Sequence, residues 1–405
     1  MWEIGPIFRA MMRNKVGAIL IAVQIAVTMT IIVNSIFIIS ERKELMARES
    51  GVDEANSFYL TSYSFAPEFN TKVTVKEDLD MIRQLPGVVD AIQVNAIPVS
   101  GGGWSMGLQT EPGDDIDGTG VAVYMVDEHG TRTFDVEVIA GQDFTATDIE
   151  WREGGQNHWP AQILITKAMA QSLFPDDPWQ SAVGKTVYIN RNEGIIIKGI
   201  IDKLQAPWIG WDKVENAMLV PQTLDFPSYR YFIRTEPGRR DELMPKIEDM
   251  LATSNKGRII RSMRSVEETR ERSYRQHSAM IDILSTVMVI LTIVTALGIV
   301  GLASFSVNRR KKQIGTRRAL GASQGDILRY FMLENFLISS VGVALGAALT
   351  VGLNIWLVQA FSLNRIDWYL IPAGMLVLWI VGQIAVFGPA KRAASIPPAL
   401  ATRTV

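Results

Sequence analysis

The side chains that could do chemistry in this 405-residue chain are few, and their spacing is unproductive. Its three histidines, His129, His158 and His277, lie far apart and lack the H-E-x-x-H spacing that sets two imidazoles on one helix face. His129 sits in Asp-Glu-His-Gly, a turn sequence. Asp114, Asp115 and Asp117 crowd the stretch EPGDDIDG, which carries oxygens a hard cation would accept. The full calcium-loop pattern is missing, so the stretch reads as a solvated turn. Ser100 and Ser105 flank Gly101, Gly102 and Gly103, but neither stands in a G-x-S-x-G elbow, and the glycines read as a tight or mobile turn. Cysteine is absent, which removes disulfides, thiolate ligands and thiol nucleophiles. Gly184, Lys185 and Thr186 imitate the end of a phosphate-binding loop, yet Trp179 stands where G-x-x-x-x-G-K-S/T needs its first glycine. The expectation is therefore a chain with no catalytic, cofactor-binding or metal-binding residue of its own, which does not hydrolyse ATP.

What the chain is built to position becomes clear from its apolar blocks. Four of them fall at about 16–39, 283–307, 332–358 and 369–388 in a sequence that is 48% hydrophobic. Each is long enough to span a bilayer as a helix. The first follows Arg9, Arg13 and Lys15, runs about 24 residues and ends in ERKELMARES without a small-residue cleavage pattern. It reads as a retained anchor rather than a signal peptide. Basic residues crowd the N-terminal tail, the 308–329 loop (Arg309, Arg310, Lys311, Lys312, Arg317, Arg318) and the C-terminal tail (Lys391, Arg392). The 359–368 hairpin has only Arg365, offset by Asp367. The excess of positive charge places both termini and the 308–329 loop in the cytoplasm, with the chain in the plasma or inner membrane. Net charge is −2, which argues against nucleic acid as a partner.

The fold class expected is a membrane α-helical protein of four transmembrane helices, with a large mixed α/β extracytoplasmic domain of two subdomains between helices 1 and 2. Residues 1–40 form the cytoplasmic N-terminus and first span, 41–281 the external domain with helical stalks, 282–388 the other three spans, and 389–405 a cytoplasmic tail. Within the external domain a second subdomain, about 110–225, is inserted in the first. VTVKEDLDMIRQLPGVV reads as a strand edge, a short helix and a Pro-Gly turn into a strand, and Phe134 to Ala140 reads as a strand. DELMPKIEDMLAT reads as a helix interrupted or started by Pro245. The polar residues within the spans, Gln24, Thr28, Asn34, Thr295, Asn335 and Gln383 among them, are uncharged and suit hydrogen bonds between helices. Gly342 and Gly346 suit a close helix approach. A chain without ionisable groups at mid-membrane is poorly equipped to carry a polar substrate alone.

The most specific stretch is RRKKQIGTRRALGASQGDILRYFMLEN. It splits into two helices at Gly321, with Ser323 and Asp326 spaced as a capping box at the start of the second. Ile327, Leu328 and Phe331 give that helix an apolar side. Two uses fit: a face for a cytoplasmic partner, or a charged anchor for the loop.

At this loop the chain resembles the permease subunits of the MacB/FtsX-like superfamily of ABC transporters, with MacB-like periplasmic core and FtsX-like permease parts. Ile314, Gly315, Arg317, Arg318, Ala319, Leu320, Gly321 and Ala322 match its I-G-x-R-R-A-L-G-A stretch, and Asp326, Ile327 and Glu334 match the D-I and Glu beyond that stretch. Pro389, Ala390, Arg392, Ala393, Pro398, Ala399 and Leu400 match its C-terminal pattern loosely. LPGVVDAIQV, GQDFTATD and ILITKAMAQSLFPDDPWQSAVGKTVYI follow the order of its periplasmic core. The resemblance implies a dimer, either of this chain or with a related permease, served by a separate cytoplasmic ABC ATPase that holds the ATP and magnesium. That ATPase would grip the helix around Ala322–Arg329 and the nearby 309–318 segment, the coupling residues being Ile314 to Ala322 of the matching stretch, Ser323, Asp326, Ile327, Leu328, Arg329 and Glu334. The resemblance further implies mechanotransmission, in which ATP-driven closure moves the spans and the spans move the external domain. Export with a periplasmic adaptor and outer-membrane channel is the leading expectation. Lipoprotein extraction, regulation of a cell-wall hydrolase, and a receptor or scaffold without an ATPase are the alternatives.

Overall fold

The computed structural model describes residues 15–361 and 365–398. Arg9 and Arg13 of the basic N-terminal tail, and Ala399 and Leu400 of the C-terminal pattern, lie outside them. The described chain divides into two compact units, one of residues 47–276 and the other of the residues before and after.

The first helix, α1, runs Lys15–Ala47, with no charged residue between Lys15 and Glu41. At 33 residues it is about 50 Å long, more than the roughly 30 Å of hydrocarbon it must cross.

The second unit begins with β1 (Ser57–Ser64), α2 (Thr71–Arg83) and β2 (Val88–Val94). The expected strand edge at Val73–Val75 is helix instead. The Asn70 side chain accepts from the Val73 N–H at 3.2 Å, closing the helix start, and Val75, Leu79 and Ile82 then fall buried on one face. A cap and a 3.6-residue apolar period outweigh the β preference of two valines.

A long segment follows, containing β3 (Trp104–Leu108), β4 (Thr119–Val126), α3 (Gly130–Phe134), β5 (Val138–Gly141), β6 (Glu150–Glu153), β7 (Gln162–Thr166), α4 (Lys167–Leu173), β8 (Thr186–Ile189), β9 (Glu193–Ile201) and β10 (Ala217–Asp225). The chain then returns with β11 (Ser228–Thr235), α5 (Arg240–Ser254) and β12 (Arg258–Ser265). The strand expected from Phe134 is shorter and later. Phe134 ends α3, and Asp135 turns the chain at φ +64°. The Phe134 ring is held edge-on between Tyr124 and Phe232, at 5.8 and 4.9 Å between centroids. Pro245 lies inside α5 without ending it.

Strands β12-β1-β11-β2 pair in that order, antiparallel throughout. Two β-α-β halves interleaved this way form a ferredoxin-like split β-α-β sheet, with residues 95–227 inserted between its second and third strands. Helices α2 and α5 cover one face, where Leu79, Ile82, Leu243 and Ile247 pack on Phe58, Leu60, Tyr231 and Ile233. The other face, with Tyr59, Ile92 and Phe232, packs on Tyr124, Ile201 and Leu219 of the insertion. The insertion is itself a mixed sheet, β3-β4-β10-β7-β9-β5, with β6 on the far end of β10 and β8 on β9.

The other unit is completed by α6 (Val266–Arg309), α7 (Lys311–Ala319), α8 (Gln324–Phe361) and α9 (Leu370–Ala394). Helix α6 is one unbroken helix of 44 residues. Among the described residues, α1, α6, α8 and α9 are the four helices long and apolar enough to cross a membrane, and the mixed α/β domain lies between the first and second of them in the chain. Helix α1 packs against the other three, meeting α9 where Gly374 faces Val33. Thr28 and Thr295 hydroxyls meet at 2.8 Å, and Gln24 Nε2 donates to the Val294 carbonyl at 3.1 Å. Gly342 and Gly346 lie against α1, so that a Cβ at either would come within 2.8 Å of the Cβ of Ile25 or Met29. Asn335 Nδ2 donates to the Gly382 carbonyl at 3.0 Å, joining α8 to α9. Asn34 differs from expectation: its Nδ2 bonds the Thr30 carbonyl of its own helix at 2.8 Å.

Candidate coupling site

The loop between α6 and α8 folds back on the helix ends that carry it. Helix α7 stops at Ala319, and Gly321 takes φ +101°, a conformation that a side chain disfavours. Helix α8 then starts from a full capping box. The Ser323 N–H and hydroxyl both donate to Asp326 Oδ2, at 2.8 and 2.7 Å, while the Asp326 N–H donates to Ser323 Oγ at 3.1 Å. Arg318 Nη1 closes the turn on the Ala322 carbonyl at 2.9 Å.

The loop is anchored by a small apolar core and one ion pair. Ile314 of α7 and Ile327 and Phe331 of α8 are buried with Val307, Ala390, Ala393, Ala394 and Ile396. Arg310 Nη1 donates to both carboxylate oxygens of Glu334 at 3.0 Å. The Arg317 guanidinium lies 4.9 Å from the centre of the Tyr330 ring. The loop is therefore tied to α6, α8 and α9 together.

The residues picked out from sequence divide into two groups. Ile314, Gly315, Ile327 and Glu334 are buried and fix the loop, while Arg318, Ala322 and Leu328 are half-buried. Arg317, Ala319, Leu320, Gly321, Ser323, Asp326 and Arg329 are exposed. Leu320, at the tip, is 83% exposed, an apolar knob among charges. Arg310, inside the expected 309–318 segment, holds Glu334, and Tyr330 is an additional member of the site. The signal for Tyr330 in the sequence was helical spacing, since Tyr330 and Glu334 stand four residues apart on one face of α8.

The histidines do not converge. His129 Nδ1 lies 2.9 Å from Asp90 Oδ2, and Arg83 bridges Asp90 and Asp127 at 3.1 and 2.7 Å. Burial lifts the Asp127 carboxyl above the usual carboxylate range, against the pull of Arg83. His129 thus belongs to a charged knot in the domain rather than to a free surface turn. His158 Nδ1 lies 3.3 Å from Glu193, and His277 bonds Arg42 at 3.2 Å. Asp114 pairs with Arg191 at 3.2 Å. Among the described residues no cluster of three or more histidine or acidic side chains is placed to hold a metal.

Four helices able to span a membrane among the described residues, an α/β domain inserted after the first, and an anchored basic loop between the second and third define a multi-pass membrane protein with one large domain between its first two spans. Residues 16–250 match the MacB-like periplasmic core domain and residues 285–398 the FtsX-like permease C-terminal domain. The chain belongs to the MacB/FtsX-like family of ABC transporter permeases.

It is 27% identical over 284 residues to a macrolide export ATP-binding/permease protein MacB of Chromobacterium violaceum, covering 66% of this chain and 41% of that one. It is 28% identical over 289 residues to the protein of the same name in Azoarcus sp., covering 64% and 42%. The chain thus spans about two fifths of the length of these relatives. Among solved structures it is similar to the extracellular domain of the noncanonic ABC-type transporter YknZ from Gram-positive bacteria. That match has a TM-score of 0.32 and 15% identity over 50% of this chain and 100% of that one. It is also similar to the periplasmic region of MacB from Actinobacillus actinomycetemcomitans, with a TM-score of 0.35 and 11% identity over 56% and 97%. The family assignment rests on the two domain matches.

Proposed function

We propose that this chain is the permease subunit of an ABC transporter and acts as a lever. An ABC ATPase, with its ATP and magnesium, docks from the cytoplasm on the α7–α8 loop. It closes two permeases on each other, this chain with a second copy or with a related one. The carrying observation is the construction of the loop: Leu320 stands 83% exposed at its tip, while Arg310, Glu334, Ile314 and Ile327 fasten its base to three spans. A push at the tip is thereby passed to α6, α8 and α9 instead of being absorbed by a soft loop. The unbroken helix Val266–Arg309 is the element such a motion would travel along.

The orientation proposed places both termini in the cytoplasm and the chain in the inner membrane. Lys15, Arg309, Lys311, Lys312, Lys391 and Arg392 support it at one set of helix ends, and exposed Trp368 and Tyr369 suit the opposite interface. Relatives named for macrolide export support export as the work done. A periplasmic adaptor and an outer-membrane channel are the further partners this reading proposes. Purification in mild detergent followed by identification of bound proteins tests this reading. Recovery of an ABC ATPase with a second permease is expected, and recovery of no ATPase contradicts it.

A further inference from the structure

The membrane unit contains a cavity of about 360 Å³ between the basic-end turns of α1, α6 and α8. That volume lies within the range of small-molecule pockets, about 300–1,000 Å³. Its walls are apolar: Leu20 and Ile21 of α1, Leu302 and Phe305 of α6, and Phe331 and Ile338 of α8. Leu20 and Phe305 are 54% and 59% exposed, so the walls continue onto the surface that faces lipid. At the basic end the lining turns polar, with Ser306, Arg309, Arg310 and Glu334.

The charges at that end are unequal. Glu334 is met by Arg310 through two bonds of 3.0 Å. Arg309 lines the same cavity, is exposed, and makes no ion pair among the described residues. Lys15, which precedes the lining residue Val16, is likewise exposed, and Lys311 and Lys312 follow within two residues of Arg310. The net charge at the mouth is therefore positive, with apolar walls leading from it into the membrane.

We propose that this cavity holds an anionic phospholipid, with one acyl chain along the α1–α6–α8 walls and the phosphate at Arg309 and Lys15. Apolar walls beneath a basic rim between spanning helices are the arrangement that selects anionic headgroups. A neutral apolar guest would leave the Arg309 charge without a counter-ion.

The test is native mass spectrometry of the detergent-purified full chain, titrated with phosphatidylglycerol or with phosphatidylcholine of the same acyl composition. Phosphatidylglycerol is expected to be retained preferentially. Arg309→Ala, at an exposed position with little effect on folding, is expected to reduce that preference about fivefold. Ala303→Phe, which projects a ring into the cavity, is expected to lower retention of both lipids. Equal retention of the two lipids by the parent chain overturns the proposal. So does a preference unchanged by Arg309→Ala, or lipid retention unchanged by Ala303→Phe in protein that still elutes as the parent does. A gain in bound lipid on deleting residues 2–14 gives the cavity to the N-terminal segment and overturns it as well.

Discussion

Arg258 and Asp78 are 0% and 1% exposed, and their side chains meet in a two-armed ion pair that joins β12 to α2. The Tyr231 hydroxyl donates to the same carboxylate at 2.5 Å. Burial pulls the guanidinium down, but the hydrogen bond and charge of Asp78 outweigh it and hold Arg258 above its ordinary range. Replacing Arg258 with Ala leaves Asp78 buried without its partner charge, and a loss of about 3–5 kcal/mol is expected by urea unfolding. Asp148 offers a milder case. The hydrogen bond from Lys198 Nζ, at 2.5 Å, holds its carboxyl below the usual range. A depressed carboxylate contributes stability that is present above its unfolded pKa and lost as pH falls through the folded one. Asp148→Asn is therefore expected to lower stability by about 1 kcal/mol at pH 7. The gap to the parent closes as pH falls below about 4, which unfolding curves at both pH values would read. Neither pair was legible in the sequence. Asp78 and Arg258 stand 180 residues apart, and only the closing of the split β-α-β sheet brings them together. Val99 was equally hidden: a β-branched residue at φ +55° carries no local signal for that conformation.

At the scale of elements, the readings that succeeded rested on short-range chemistry. The Ser323–Asp326 box and the break at Gly321 are visible within a few residues, and the structure forms both. Ser323→Ala is expected to cost about 1 kcal/mol of helix stability. Amide exchange at the first turn of α8 should rise in that variant while exchange in mid-helix stays unchanged. The Gly342–Gly346 pair was likewise readable, because small residues one turn apart on an apolar helix have few uses other than close packing. Readings failed where tertiary context overrode local preference. Val73 and Val75 entered a helix once Asn70 capped it, and Phe134 was drawn into the core at the end of α3. In the loop, the exposed and buried residues of one matching stretch could not be separated before the fold was known. Ile314 and Leu320 are both apolar, yet one is buried and the other fully offered to solvent.

For the whole molecule, charge placement and hydropathy were sufficient to find four spans and the domain between the first two, because the bilayer permits few alternatives to a closed helix. The interleaving of the split sheet was less accessible, since β1, β11 and β12 pair across more than 160 residues. The central claim concerns what the loop touches. A photo-crosslinking amino acid placed at Leu320 reads this directly in intact cells, with the same probe at Trp368 as the opposite-end control. The account predicts an ultraviolet-dependent adduct with an ABC ATPase from position 320 and none from position 368. No ATPase adduct from 320, or an equal one from 368, would contradict it.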